Sequence, residues 1–457
     1  MKKEIIVLAL ILVVSIRIYS QGYSPTCFSK ADFVEDLEFL NQKVAHIHPK
    51  LLDPKELEQW KNLFVSIEKN LPDSITYNDA YIKVSNILAT LHDGHSYFLF
   101  SYAERTKYMQ HGGITMPFTV RLVKDKIYIN QYFGDNQSEK FSGTEILTIN
   151  SIPSGEILRK MRNLSGSVST YDVEHYFGPY FWMFWGEQPE YRISVAHADS
   201  IFSITTKGVS TTEFFALKRK YYPEKVPKDY ELTFVEPNST AVLKIKRFVD
   251  DLAPFLRHAF DTVKYKNSKN LIIDVRNNPG GNSRSVDSLL SYMISRPYTQ
   301  YSSIRLRVSD EVKDYYQKNK PGVYQLIAPL PADTIYRFDE NELISSPIPK
   351  SNFFAGNIFV LTNNQTFSAA ATFTGVVKEY QLGKVIGQPT GELIFYYADY
   401  LKFCLPHMGI EFSVSPKEFV QHGGVSLNQG VIPDISLKDA NCKVAEVVMK
   451  YCNSPTN

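Results

Sequence analysis

Three loops of this 457-residue chain hold side chains able to do acyl-transfer chemistry. Asn363-Asn364-Gln365-Thr366-Phe367-Ser368 runs from an apolar stretch, residues 357–362 (NIFVLT), into Ala369-Ala370-Ala371, which places Ser368 on a strand-to-helix turn at a helix N-terminus. The positive end of the helix dipole and the free N–H groups of the first turn can stabilise a developing oxyanion there, and three alanines leave room for a substrate backbone. A serine in this position also serves as a plain N-cap, so the residue alone leaves both roles open.

Asn277-Asn278-Pro279-Gly280-Gly281 follows a buried-looking strand, residues 271–275 (LIIDV). Adjacent glycines at a strand end permit unusual backbone angles and the close approach of a ligand, and such a turn can present an N–H. Leu91-His92-Asp93-Gly94-His95-Ser96 closes a helical pattern, and a histidine just past a glycine projects into a neighbouring cleft with a side chain that titrates where a general base must. A metal reading through His46-x-His48 or His92-x-x-His95 lacks a third ligand at metal spacing, so neither metal nor cofactor is expected.

These loops need elements to hold them. Phe33, Leu37, Leu40, Val44 and Ile47 recur at helical spacing behind a Ser29/Asp32 capping box, and Pro49 ends that helix. Asp53-Pro54 starts a second helix and Thr76 with Asp79 a third, so residues 21–110 read as a helical bundle. Over 111–232 the pattern turns β-rich: residues 118–122 and 127–129 alternate around Lys124-Asp125, and 143–150 (GTEILTIN) form another strand with a helix behind it. The aromatic stretch 167–190 either packs a core or lines a groove. From 233 to 440 strand and helix signals alternate: strands at 241–248, 271–275, 357–362 and 384–387 and helices at 252–264 and 369–380 form an α/β unit, with 441–457 as a tail.

Composition sets the outer bounds. Hydrophobic residues make up 44% and aromatics 13%, enough to order the chain, and a net charge of +2 without basic clusters argues against nucleic acid. Lys2 and Lys3 precede an apolar run at 5–16, which reads as a signal peptide over 1–20. The run is short for a membrane span, so the expectation is an exported, periplasmic or extracellular protein, membrane-associated if the signal stays uncleaved. Removing residues 1–20 takes the chain from 50 basic and 48 acidic residues to 47 of each. Four cysteines (Cys27, Cys404, Cys442, Cys452) allow three pairings, a local Cys442–Cys452 bridge among them, or four thiols.

Taken together and in order, the motifs resemble the serine peptidases that include the C-terminal processing (tail-specific) proteases, the tricorn protease core and the interphotoreceptor retinoid-binding protein modules. The resemblance is carried by LATLHDGHS at 88–96, LIIDVRNNPGG at 271–281, FVLTNNQTFSAAA at 359–371, IGQPTG at 386–391 and GVIPDI at 430–435. It implies a crotonase-like ββα catalytic core, an N-terminal helical bundle and a middle domain that is PDZ in many members; here 111–232 is a degenerate PDZ-like or different β domain. It also implies Ser368 as nucleophile, with the N–H of Ala369 and of Gly280 or Gly281 as the oxyanion hole. The processing-protease branch uses a lysine in a Gly-Lys context about 25 residues after the serine, whereas Gly391 is followed here by Glu392. The tricorn-like branch uses the histidine of the Gly-His motif, here His95. That branch orients its histidine with a glutamate shortly before Gly-Val-x-Pro-Asp, where this chain has Ser426-Leu427-Asn428-Gln429; Asn428 is the expected substitute, with Glu392 second.

The expectation is an exported serine endopeptidase acting on peptide or protein substrates, with Ser368 as nucleophile, His95 as base and Asn428 orienting it. The alternative is a weakly active or inactive peptide- or hydrophobic-ligand-binding module on the same scaffold. An α/β-hydrolase esterase fits poorly, since the chain has no Gly-x-Ser-x-Gly and its base precedes its nucleophile.

Overall fold

Capping chemistry starts the first three helices. The Ser29 hydroxyl accepts the Asp32 N–H while the Asp32 carboxylate accepts the Ser29 N–H, and Lys30–Ile47 then runs until His48-Pro49 stops it. Asp53 caps Pro54–Lys69 and Thr76 caps Tyr77–Ala89. The computed structural model describes residues 22–451 except 101, 124, 135–140, 165–170, 223–227, 236–239, 339–342, 425 and 438–441. The expected signal peptide over 1–20, Lys124 and Cys452 fall outside the described residues.

The helical segment does not close a core of its own. Phe33, Leu37, Leu40 and Val44 are buried in one cluster with Leu306, Val308 and Tyr316, and with Leu401, Phe412 and Val414 of a distant hairpin. The Asp36 carboxylate accepts the main-chain N–H groups of His407 and Met408, which locks that hairpin to the first helix. The N-terminal helices and the C-terminal third are thus one packing unit, and this brings His95 to the α/β core.

Residues 118–207 build an antiparallel sheet whose neighbours are Phe118–Val123, Lys126–Tyr132, Glu145–Ile149, Glu190–His197 and Ser200–Lys207, in that order. The helices Ser154–Arg162 and Phe177–Trp185 cover it, and the aromatic stretch takes both of its expected roles. Phe177, Phe181 and Trp182 are buried, while Tyr176 and Tyr180 reach the cleft described below.

The α/β core is a six-stranded sheet in the order Tyr230–Val235, Thr240–Ile245, Asn270–Asp274, Asn357–Thr362, Lys384–Gly387 and Ile435–Ser436, with the first pair antiparallel and the rest parallel. Parallel strands covered on both faces need uninterrupted apolar runs, which LII at 271–273 and IFVL at 358–361 supply. Asp274 pairs in register with Leu361, so the loops leaving these two strands emerge side by side at the carboxyl edge of the sheet, where α/β folds place their sites.

Candidate active site

Ser368 is not an ordinary cap. It precedes the helix Ala369–Glu379 with φ 48° and ψ −125°, and its side chain makes no capping hydrogen bond. A non-glycine residue at positive φ costs of order 1–3 kcal/mol and persists only where its surroundings over-determine it. Those surroundings are visible. Asn363 and Asn277 exchange hydrogen bonds, Asn363 Nδ2 donating to Asn277 Oδ1 at 2.7 Å and Asn277 N to Asn363 Oδ1 at 3.0 Å. The Thr366 hydroxyl donates to Val275 O, and Phe367 N donates to Asn278 O. The serine turn is stitched to the glycine turn on the neighbouring strand.

That stitching distinguishes the two glycines. A Cβ on Gly280 would lie 2.7 Å from Ser368 Cβ and 2.9 Å from Ala369 N, so glycine is required for the loop to reach the nucleophile. Yet Gly280 N–H already donates to Asn278 Oδ1 at 2.8 Å. Phe248 N bonds Gly280 O and Asn282 N bonds Phe248 O, a parallel bridge centred on Gly281 that turns the Gly281 N–H away from Phe248. Of the two glycines, Gly281 has its donor available, beside the orphan N–H of Ala369 at the helix start.

His95 reaches the same place from the N-terminal third. Its carbonyl accepts the Ser413 hydroxyl at 2.7 Å, Ser415 N donates to Ser96 Oγ and Leu99 N to Glu411 O, which pins residues 95–99 along the strand Glu411–Val414. The imidazole stacks on Phe367, with ring centroids 5.6 Å apart, and packs on Tyr396. Ser368 and His95 line one cleft of about 670 Å³, together with Gly281, Phe100, Tyr176 and Tyr400 among others.

The group behind the imidazole is where the structure departs from expectation. Asn428 sits in an exposed turn and does not line the cleft. Glu392, the second choice, takes its place: its Oε2 is 3.8 Å from His95 Nδ1, its side chain is 5% exposed, and it also faces the main-chain N–H groups of Ser368 and Leu393. The backbone places it there, since Gly391 N donates to Thr366 O and a Cβ on Gly391 would lie 2.1 Å from Asn364 O. A second carboxylate, unforeseen in sequence, lies close by: Asp93 Oδ1 is 4.0 Å from the same nitrogen and accepts the His95 main-chain N–H at 2.8 Å. Asp93 is in turn paired with buried His48, at 3.3 Å. Its signal was its place in the His-Asp-Gly-His segment. No lysine lines the cleft among the described residues, and Lys378 is engaged with Ile432 O and Asp434.

Electrostatics separate these groups. Burial pushes the His95 imidazole below its ordinary range, against the charge of Asp93, and so favours the neutral form a base needs. Burial, then the charge of Asp93, pushes Glu392 well above the usual carboxylate range. Burial acts on Asp93 in the same sense, but the hydrogen bond from His48 and the electrostatic interactions with His48 and His95 outweigh it and hold that carboxyl down.

Cys27 and Cys404 are exposed thiols, and Cys442 Sγ lies 3.9 Å from Arg276 Nη1, whose guanidinium grips Asp274. The Asp274-x-Arg276 part of the strand motif is therefore a structural clamp.

An uncapped serine and an imidazole that burial holds toward its neutral form, in one cleft with main-chain donors at a helix start, define a serine hydrolase. Residues 239–437 match peptidase family S41, and the chain is a serine-type peptidase carrying that domain. Two solved structures of CPAF cover most of the chain: mature CPAF complexed with lactacystin at 15% identity, spanning 89% of this chain and 94% of that one with a TM-score of 0.62, and mature CPAF at 16% identity, spanning 89% and 93% with a TM-score of 0.58. The photosystem II D1 C-terminal processing protease spans 90% and 94% at 15% identity, with a TM-score of 0.46. Peptides or proteins are the substrates of this class.

Proposed function

We propose that the protein is an exported serine endopeptidase in which Ser368 attacks the scissile carbonyl, His95 takes its proton, and the N–H groups of Ala369 and Gly281 receive the oxyanion. The attack gives an acyl-enzyme that water, activated by the same imidazole, hydrolyses. The observation that carries this reading is the uncapped, positive-φ Ser368 sharing a cleft with His95, whose Nδ1 is turned inward to two carboxylates. Glu392 stands where the processing-protease branch has its lysine, which favours the histidine as base. The apolar run at 5–16 behind Lys2 and Lys3 supports export.

Ser368→Ala tests the reading. Peptide cleavage is expected to fall at least about a thousandfold, with loss of labelling by a serine-directed phosphonate and an unchanged melting curve. Undiminished cleavage would overturn it, and peptide binding without turnover by the wild-type protein would favour a binding module. N-terminal sequencing of secreted material, with a start near residue 21, tests export.

A further inference from the structure

Behind His95 lie more ionisable groups than a serine–histidine–acid arrangement needs. Asp93 and Glu392 approach the same imidazole nitrogen, at 4.0 and 3.8 Å, and each side chain is at most 5% exposed. Two buried carboxylates that face one imidazole nitrogen disfavour each other's ionisation, and the environment decides which one keeps the proton. Asp93 has the better anion site. Its Oδ1 accepts His95 N–H and its Oδ2 faces His48 Nε2 at 3.3 Å. The His48 tautomer is set by the chain, because Nδ1 accepts Lys50 N–H and leaves the proton on Nε2, pointed at Asp93. His48 is itself held, fully buried, by Arg307 Nη1 on its carbonyl at 2.8 Å and by the Tyr397 ring at 4.4 Å. Glu392 Oε2, by contrast, has no hydrogen-bond partner among the described residues, and the donors that face its carboxyl are the main-chain N–H groups of Ser368 and Leu393 rather than an imidazole.

We propose that Asp93, fixed by His48, is the ionised carboxylate that stabilises the His95 imidazolium during acylation, while Glu392 is a neutral acid that packs and orients the ring. In the step itself the proton leaves Ser368 Oγ for the outer nitrogen of His95 as the Oγ–C bond forms and the carbonyl π pair moves to oxygen; neither carboxylate changes protonation. His48 and Asp93 are positioning residues that act through His95. The other titratable groups facing this cluster are Tyr397, Tyr396 and Tyr301, with Glu418 and its partner Arg305 beyond His48. None of them approaches His95 Nδ1 as a second anion in place of Asp93.

The inference rests on the serine–histidine reading above, and its test separates the two. Asp93→Asn removes the charge and keeps the shape. It is expected to lower kcat about a hundredfold or more with KM within about twofold, and to move the acid limb of kcat/KM down by about one pH unit, since His95 loses the anion that raises its pKa. Glu392→Gln mimics a neutral acid and is expected to cost no more than about tenfold, with the acid limb in place. Because Asp93→Asn keeps the acceptor for His95 N–H but turns a donor toward the buried His48 Nε2–H, its folding is checked by thermal melting, and a second pair covers its failure. His48→Phe is expected to reproduce the loss and the downward limb shift, and His48→Gln, which keeps a donor for Asp93, to recover most of both. An unmoved acid limb in Asp93→Asn or His48→Phe, or a larger loss and limb shift in Glu392→Gln, overturns the assignment while the nucleophile reading stands. Cleavage surviving in Ser368→Ala overturns both.

Discussion

His95 Nδ1 and Glu392 Oε2 face each other at 3.8 Å across a buried gap, and neither atom has a hydrogen-bond partner among the described residues. Catalytic hydrogen bonds in an unliganded site are often long and tighten only when charge develops. A peptide boronate that bonds to Ser368 Oγ mimics the tetrahedral intermediate and makes the imidazolium permanent. A downfield, exchange-protected imidazole proton is therefore expected in the boronate complex and in no other state, and its absence from the complex by proton NMR would mean that Nδ1 is not held by either carboxylate.

The pH dependence follows from the same burial. His95 works as a base only when neutral, and desolvation sets its pKa below the ordinary imidazole value of about 6.5. The acid limb of kcat/KM is expected below that value, so activity persists into mildly acidic solution where an exposed histidine would be mostly protonated. A limb centred at or above about 7 in a pH–rate profile would contradict the assignment of His95 as the buried base.

Gly280→Ala tests the loop that carries the oxyanion donors. The added methyl would sit 2.7 Å from Ser368 Cβ and 2.9 Å from Ala369 N at a residue with φ 101°, so the loop must withdraw from the nucleophile. Loss of a well-placed oxyanion donor costs about a hundred- to a thousandfold in kcat. The Gly280→Ala variant is expected to show at least that loss in steady-state kinetics with KM little changed, and activity within a few fold of wild type would place the oxyanion hole elsewhere.

Much of this was legible in the sequence because local chemistry fixes it. The Ser29/Asp32, Asp53-Pro54 and Thr76/Asp79 signals start their helices, and the buried runs at 357–362 and 384–387 are strands with those limits. Ser368, Gly280, Gly281 and His95 were marked by turn types that leave a trace in composition. The carboxylates behind His95 left a weaker trace, Asp93 by its place in the His-Asp-Gly-His segment and Glu392 only as a second choice, because long-range packing selects them: the Gly391 backbone must meet Asn364 before Glu392 can point at a ring that arrives from residue 95. The stretch 426–429, where the resemblance implied an orienting group at Asn428, folds into an exposed turn. Asn428→Ala is accordingly expected to leave kcat/KM within about twofold, and a loss beyond about tenfold in the peptide assay would restore Asn428 to the site. The shared core of the N-terminal helices and the hairpin 401–414 was hidden for the same reason, since both halves show complete apolar stripes and neither stripe names its mate.

The wall that carries Tyr396 and Tyr397 to the imidazole depends on one half-buried charge cluster. Asp399, just after the strand Phe395–Ala398, binds Lys417 at 2.7 Å and Lys320 at 3.1 Å and accepts the Tyr316 hydroxyl at 2.6 Å. Burial opposes its ionisation, but the charges of Lys417 and Lys320 and the hydrogen bonds outweigh it and hold the carboxyl well below the usual range. A carboxyl depressed in the folded state stabilises above its unfolded pKa of about 3.9, and that contribution disappears as pH falls through the folded value. It is complete at neutral pH. Asp399→Asn strands Lys417, a lysine 9% exposed in its side chain, without its counter-charge, and removing one member of a buried pair costs about 3–5 kcal/mol, the low end applying to a carboxylate 23% exposed. Urea denaturation at about pH 7 is expected to show a loss of that order, shrinking below about pH 4. The double variant Asp399→Asn/Lys417→Met, with no orphaned charge, is expected to recover part of it. Additive losses in the two single variants and the double would show that Asp399 and Lys417 do not act as a pair, and the anchoring of the Tyr396–Tyr397 wall would then rest on its apolar packing alone.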